Sequence, residues 1–219
     1  MKGTNFKMTA EQRTKQCGVI PVIVMEKAED AVPLGNALKA GNIDIMEITL
    51  RTAAGLDSIR TVAKELPDVC LGAGTVLTLD QCKKAIDAGA TFIVSPGFNK
   101  DVVEWCVKKD IMVTPGCVTP TEIMWALELG VNIIKFFPAN IYGGLSAMKA
   151  LAGPFPGISF VPTGGISAAN LVEYAEAKFI HAIGGSWMCT KKDISEGNFD
   201  KITSLSSEAT KIIAATREV

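Results

Sequence analysis

One lysine stands inside an apolar run, "NIIKFFPAN" (Asn132–Asn140), between Ile134 and Phe136. A buried ammonium is costly unless it is paired or neutral. Ile133, Ile134, Phe136 and Phe137 would desolvate Lys135 and favour the neutral amine, the form that attacks a carbonyl carbon to give a Schiff base. A second charge interrupts the apolar run "IMEITLRT". In a strand, Ile45, Glu47, Thr49 and Arg51 share one face, while Met46, Ile48 and Leu50 share the other. The unbroken apolar face suits packing under helices, so Glu47 is expected to point inward, with Arg51 near the mouth. The same alternation turns Ile134 and Phe136 toward helices and Lys135 inward with Ile133. Every step of imine chemistry moves a proton, and Glu47 is a carboxylate suited to move it. An ionised Glu47 also favours the ammonium, so its effect on Lys135 opposes desolvation. The competing reading is a buried ion pair that only specifies packing, although such pairs stabilise poorly against an apolar replacement.

Two further stretches, "PTGGIS" and "IGGSW", bring glycines and a hydroxyl together. Gly164, Gly165, Gly185 and Ser186 can offer backbone donors and an O–H to an oxyanion such as phosphate. The alternative is a pair of tight turns, with Ser167 as a helix N-cap. Other residues carry less. His181 reads as packed or helix-facing, Trp105 and Trp125 as core, and Trp187 as lining the mouth. Cys117 stands close by with no histidine to activate it.

Composition narrows the partners. With 22 Lys+Arg against 23 Asp+Glu, the net charge is -1, so no broad field draws nucleic acid or an anionic membrane. An anionic ligand must be held locally. The start, "MKGTNFKMTAEQRTK", lacks the apolar core of a signal peptide. The longest apolar runs, such as "GVIPVIVM", are too short to span a bilayer. Six scattered cysteines and a single histidine make a zinc site improbable and fit reduced thiols in the cytoplasm.

The elements that must hold these residues show a faint repeat. "ALKAGNIDIMEI", "AIDAGATFIVSP" and "ALELGVNIIKFF" each run from a helix end through Gly41, Gly89 or Gly130 into a β-rich segment. Glycine there fits the left-handed position past a helix. Extending the pattern predicts strands at Val19–Val24, Ile43–Thr49, Val69–Gly74, Phe92–Ser95, Met112–Thr114, Ile133–Phe136, Ser159–Pro162 and Ile180–Gly184. Helical segments fall between them, including Leu56–Leu66, Leu79–Ala88, Asp101–Lys109 and Thr121–Leu129. A last helix is expected near Phe199–Thr216, and a short one at Ala10–Gln16 capping the bottom. Strict βα alternation implies a parallel sheet, and about eight units close a (β/α)8 TIM barrel in a single domain over residues 1–219. A doubly wound open sheet is the runner-up. In such a barrel the chemistry sits at the C-terminal strand ends, where "MEITLRT", "GAGTV", "SPGFN", "KFFPAN", "PTGGIS" and "IGGSW" all fall.

In order and spacing, "MEITLRT", "GAGTV", "SPG", "KFFPA", "GPFP", "PTGGIS" and "IGGSW" resemble the class I 2-keto-3-deoxy-6-phosphogluconate aldolases, which also act on 4-hydroxy-2-oxoglutarate. The likeness runs from about Val19 to the final helix and departs from the pattern at "NIYGG" (Asn140–Gly144). It implies a (β/α)8 barrel, usually a homotrimer, with no metal and no cofactor. It implies that Lys135 forms the imine and Glu47 is the general acid/base. Arg51 and Thr75 would bind the keto-acid carboxylate beside Pro96 and Phe137, while Gly164, Gly165 and Ser186 would hold the phosphate. The partner would be a small phosphorylated 2-keto acid. Two rivals are another phosphate-binding barrel enzyme, such as a thiamine phosphate synthase-like protein, and a non-catalytic sugar-phosphate-binding barrel.

Overall fold

Eight short apolar segments form parallel strands in the computed structural model, which describes residues 8–217. They are β1 (Val19–Ile23), β2 (Ile45–Thr49), β3 (Cys70–Gly74), β4 (Phe92–Val94), β5 (Met112–Thr114), β6 (Ile133–Phe136), β7 (Ser159–Pro162) and β8 (Ile183–Gly185). The first seven residues of the polar opening stretch lie outside the described residues. Every residue of β1, β2 and β3 is buried, as expected where helices cover one face and a shared interior the other.

The helices are α1 (Ala10–Cys17), α2 (Ala31–Ala40), α3 (Gly55–Glu65), α4 (Leu79–Asp87), α5 (Lys100–Lys108) and α6 (Pro120–Glu128). After them come α7 (Gly144–Ala152), α8 (Leu171–Glu176), α9 (Lys191–Ser195) and α10 (Phe199–Thr216). Their starts are written locally. Thr9, Thr78, Asn99, Thr119 and Thr190 each accept a backbone N–H three residues on. Thr9 with Gln12 and Thr119 with Glu122 complete capping boxes, and Pro120 opens α6.

The strands form a curled parallel sheet of six, ordered β5-β4-β3-β2-β1-β8, and a pair β6-β7. Isolated parallel bridges connect the two: Gly116 with Lys135 past the end of β5, and Phe160 with Ile180 and Thr163 with Gly184 beside β8. The last strand therefore begins at Ile183, and Ile180 takes part only through its single bridge. Helix α1 lies across the N-terminal ends of the strands. Arg13 donates to the carbonyls of Asp44 and Asp68, just before β2 and β3. Thr14 Oγ1 meets His181 Nε2 at 2.9 Å, just before β8. His181 is thus a packed residue. Burial, with Lys15 and Arg217 nearby, holds its imidazolium form off down to about 4.

Three local expectations are corrected. Gly89 and Gly130 take positive φ, but Gly41 has φ -87 and Asn42 carries the left-handed turn at φ 65. Gly41 is required instead by close approach, because a Cβ there would lie 2.8 Å from the Thr203 carbonyl on α10. Trp125 is 49% exposed on α6, its ring 5.8 Å from Phe98, whereas Trp105 does pack on the core. Ser167 does not cap α8: Asn170 precedes that helix and its Oδ1 accepts the Ser167 N–H. Among the described residues no helix is long and apolar enough to cross a membrane.

Candidate active site

Strand alternation decides where the two buried charges go. Ile134 pairs with Phe160 and Lys135 with Val161 along β6-β7. The outward rings of Phe136, Phe160 and Phe179 meet edge-on, 6.0 and 6.2 Å apart. Lys135, one residue before Phe136, therefore points to the opposite, inner face. On β2, Met46 packs outward against α2 and Leu66, and Glu47 points inward. The two side chains meet: Lys135 Nζ donates to Glu47 Oε1 at 3.4 Å, with exposures of 5% and 2%. Lys135 is the only buried lysine among the described residues. Its Nζ also lies 5.3 Å from the centre of the Phe137 ring.

The neighbouring strand makes room for this pair. A Cβ at Gly74, the last residue of β3, would lie 2.8 Å from Glu47 Cγ. Glycine in "GAGTV" thus leaves space for the carboxylate. The next residue, Thr75, has φ 57, a conformation rarely adopted by a β-branched residue and costing of order 1–3 kcal/mol. Its Oγ1 accepts from Arg51 Nε at 3.2 Å. Arg51 is exposed and makes no ion pair among the described residues, so its guanidinium remains available to a ligand anion.

Arg51 lines a cavity of about 300 Å³ together with Phe137, Gly164, Gly165 and Ser186. Gly164 and Gly165 have φ 101 and 74, so this turn needs residues without a Cβ. The turn is held by Asn170, whose Nδ2 donates to the Gly165 carbonyl at 3.1 Å. Pro96 stands apart from the cavity. Its backbone packs against Gly116, which in turn bridges to Lys135. Trp187 lays its ring against Gly185 instead of lining the cavity. Cys117 is buried, which pushes its thiol up to about 12, so it is no nucleophile at neutral pH.

Thr163 and Lys191 were not singled out from the sequence. Thr163 is the threonine of "PTGG"; its Oγ1 is buried without a protein partner, opposite Gly184. Its place directly before the glycine pair was the available signal. Lys191 also lines the cavity, at the start of α9. Nothing in "TKKD" distinguishes it from a solvated lysine. The assembly offers a buried amine beside a carboxylate, and above it a pocket of glycine turns, hydroxyls and cations. That combination suits imine formation on a keto acid whose far end is anionic.

The sequence model of the family described as "KDPG and KHG aldolase" matches residues 10–205. A 2-dehydro-3-deoxy-phosphogluconate aldolase of Treponema pallidum is 45% identical over 206 residues, covering 94% of this chain and 98% of that protein. The crystal structure of a KDPG aldolase from Legionella pneumophila, with pyruvate captured as a covalent carbinolamine intermediate, aligns with a TM-score of 0.89 at 38% identity. It covers 93% of this chain and 99% of that one. The 2-keto-3-deoxy-6-phosphogluconate aldolase of Zymomonas mobilis, solved with 3-phosphoglycerate, aligns at 0.85 and 38% identity, covering 93% and 95%.

Proposed function

The chain belongs to the KDPG and KHG aldolase family, and from this premise we propose that it cleaves 2-dehydro-3-deoxy-6-phosphogluconate to pyruvate and glyceraldehyde 3-phosphate. It also cleaves 4-hydroxy-2-oxoglutarate to pyruvate and glyoxylate. It is a Schiff-base aldolase, a carbon–carbon lyase. The observation that carries this reading is the buried contact of Lys135 with Glu47. A lysine kept from water beside a carboxylate needs a task that offsets its desolvation. Neither a thiamine phosphate synthase-like enzyme nor a non-catalytic sugar-phosphate barrel needs such a pair.

In this mechanism the neutral Lys135 amine attacks the C2 ketone. A proton is delivered to the departing oxygen, water leaves, and the protonated imine becomes an electron sink. Glu47, directly or through a water, takes the C4 hydroxyl proton. The C3–C4 bond then breaks, its electrons passing into the imine to give an enamine and releasing the aldehyde. Protonation of the enamine and hydrolysis of the imine return pyruvate and free Lys135. Arg51 and Thr75 hold the substrate carboxylate beside Pro96 and Phe137. Gly164, Gly165 and Ser186 hold the phosphate, with Thr163 at the base of that cavity.

The eight strands are read as one closed (β/α)8 barrel in a single domain over residues 1–219, a reading supported by the isolated bridges at Gly116–Lys135 and Thr163–Gly184. The enzyme is proposed to work in the cytoplasm as a homotrimer, needing no cofactor. Exposed Met124 and Trp125 on α6 offer apolar surface for self-association. The test of function is direct. Purified protein given 2-dehydro-3-deoxy-6-phosphogluconate should release pyruvate and glyceraldehyde 3-phosphate in equal amounts. No pyruvate from either substrate would overturn the reading.

A further inference from the structure

The cavity above the lysine–glutamate pair has an uneven charge lining. Among the described residues two cationic side chains line it, Arg51 and Lys191, and no carboxylate does. Arg51 sits over Thr75, on the side of β2 and β3. Lys191 comes from past β8, on the other side of β1 from β2, five residues past Ser186, among the glycine turns after β7 and β8. Its ammonium pairs with Glu26 Oε1 at 2.6 Å, where side-chain exposures are 60% and 44%. So exposed an ion pair contributes little to stability, and either partner can exchange at small cost.

A phosphate monoester carries close to two negative charges near neutral pH. An ammonium is a common partner for it, acting as a point charge. Building on the aldolase function above, we propose that Lys191 is the cation that selects phosphorylated substrates in this enzyme, and that it exchanges from Glu26 onto the phosphate as substrate binds. Glu26 competes with the phosphate for the same ammonium. It therefore sets how strongly Lys191 favours a phosphorylated over an unphosphorylated keto acid. Arg51, committed with Thr75 to the carboxylate end, cannot supply this discrimination.

Lys191 and Glu26 are both exposed, so Lys191→Met and Glu26→Gln should fold as the parent does, checked by circular dichroism and Tm. Steady-state kinetics are then measured with 2-dehydro-3-deoxy-6-phosphogluconate and with 4-hydroxy-2-oxoglutarate. Lys191→Met should lower kcat/KM for the phosphorylated substrate about tenfold, mainly through KM, as expected for one charge-assisted contact at an exposed site. The effect on 4-hydroxy-2-oxoglutarate should be severalfold smaller. Glu26→Gln should act in the opposite direction, lowering KM for the phosphorylated substrate, and should do nothing when added to Lys191→Met. If both substrates change alike in Lys191→Met, or if Glu26→Gln weakens the phosphorylated substrate as Lys191→Met does, the proposal is overturned. Failure of the parent protein to cleave either substrate would refute the aldolase reading itself. Unselective variants of an active parent refute only the role of Lys191.

Discussion

Glu47 on β2 and Lys135 on β6 meet at 3.4 Å, although the strands that carry them are not neighbours in either sheet. The contact spans the interior, where both side chains are almost fully out of water. Two charges there stabilise the fold less than apolar residues of similar volume would. The chemistry they can perform together is the compensating gain.

Glu47→Gln keeps the shape and an acceptor oxygen for Lys135 while removing the proton-transfer group. The variant should fold normally and lose about a factor of 10²–10⁴ in turnover. Steady-state assays beside a circular dichroism spectrum check this. Near-normal turnover would mean that Glu47 is only a structural partner of Lys135.

Ser186→Ala separates phosphate recognition from bond cleavage. A hydroxyl bonded to a charged group contributes about 1.5–3 kcal/mol, so kcat/KM for the phosphorylated substrate should fall about ten- to a hundredfold. Cleavage of 4-hydroxy-2-oxoglutarate should fall much less, and imine formation with pyruvate should persist. A uniform loss across all three would instead assign Ser186 to local stability.

His181 makes stability depend on pH. Its folded value of about 4 lies below the ordinary 6.5, so the unfolded chain binds the extra proton first as pH falls. The stabilisation is complete above about 6.5 and is lost as pH drops toward 4, to the extent of about 2–3 kcal/mol. Urea midpoints should decline over that window. His181→Asn, which keeps a polar partner for Thr14 Oγ1, should flatten the decline. An unchanged slope would show that carboxylates govern the acid limb.

Much of this architecture was legible because parallel strands buried on both faces leave few polar positions. Glu47 and Lys135 stand out as charges in apolar runs, and period-two alternation turns both inward. Strands β5, β6 and β7 and helix α10 fall at their expected bounds, since β-branched runs and glycine turns mark them sharply. What was not legible lies outside the buried strands. Trp125 looks like core from its type, but α6 turns it outward beside Phe98. Gly41 looks like a left-handed cap, yet its reason is the approach of α10, a contact distant in sequence. Lys191 reads as one of several solvated lysines, and only the folded chain brings it to the cavity and to Glu26.

The most direct measurement is reductive trapping. Incubation with pyruvate and borohydride should inactivate the protein and leave one reduced adduct, which peptide mapping assigns to Lys135. It is the only buried lysine among the described residues and the one in contact with Glu47. No adduct, or adducts spread over surface lysines with activity retained, would contradict Schiff-base catalysis at Lys135.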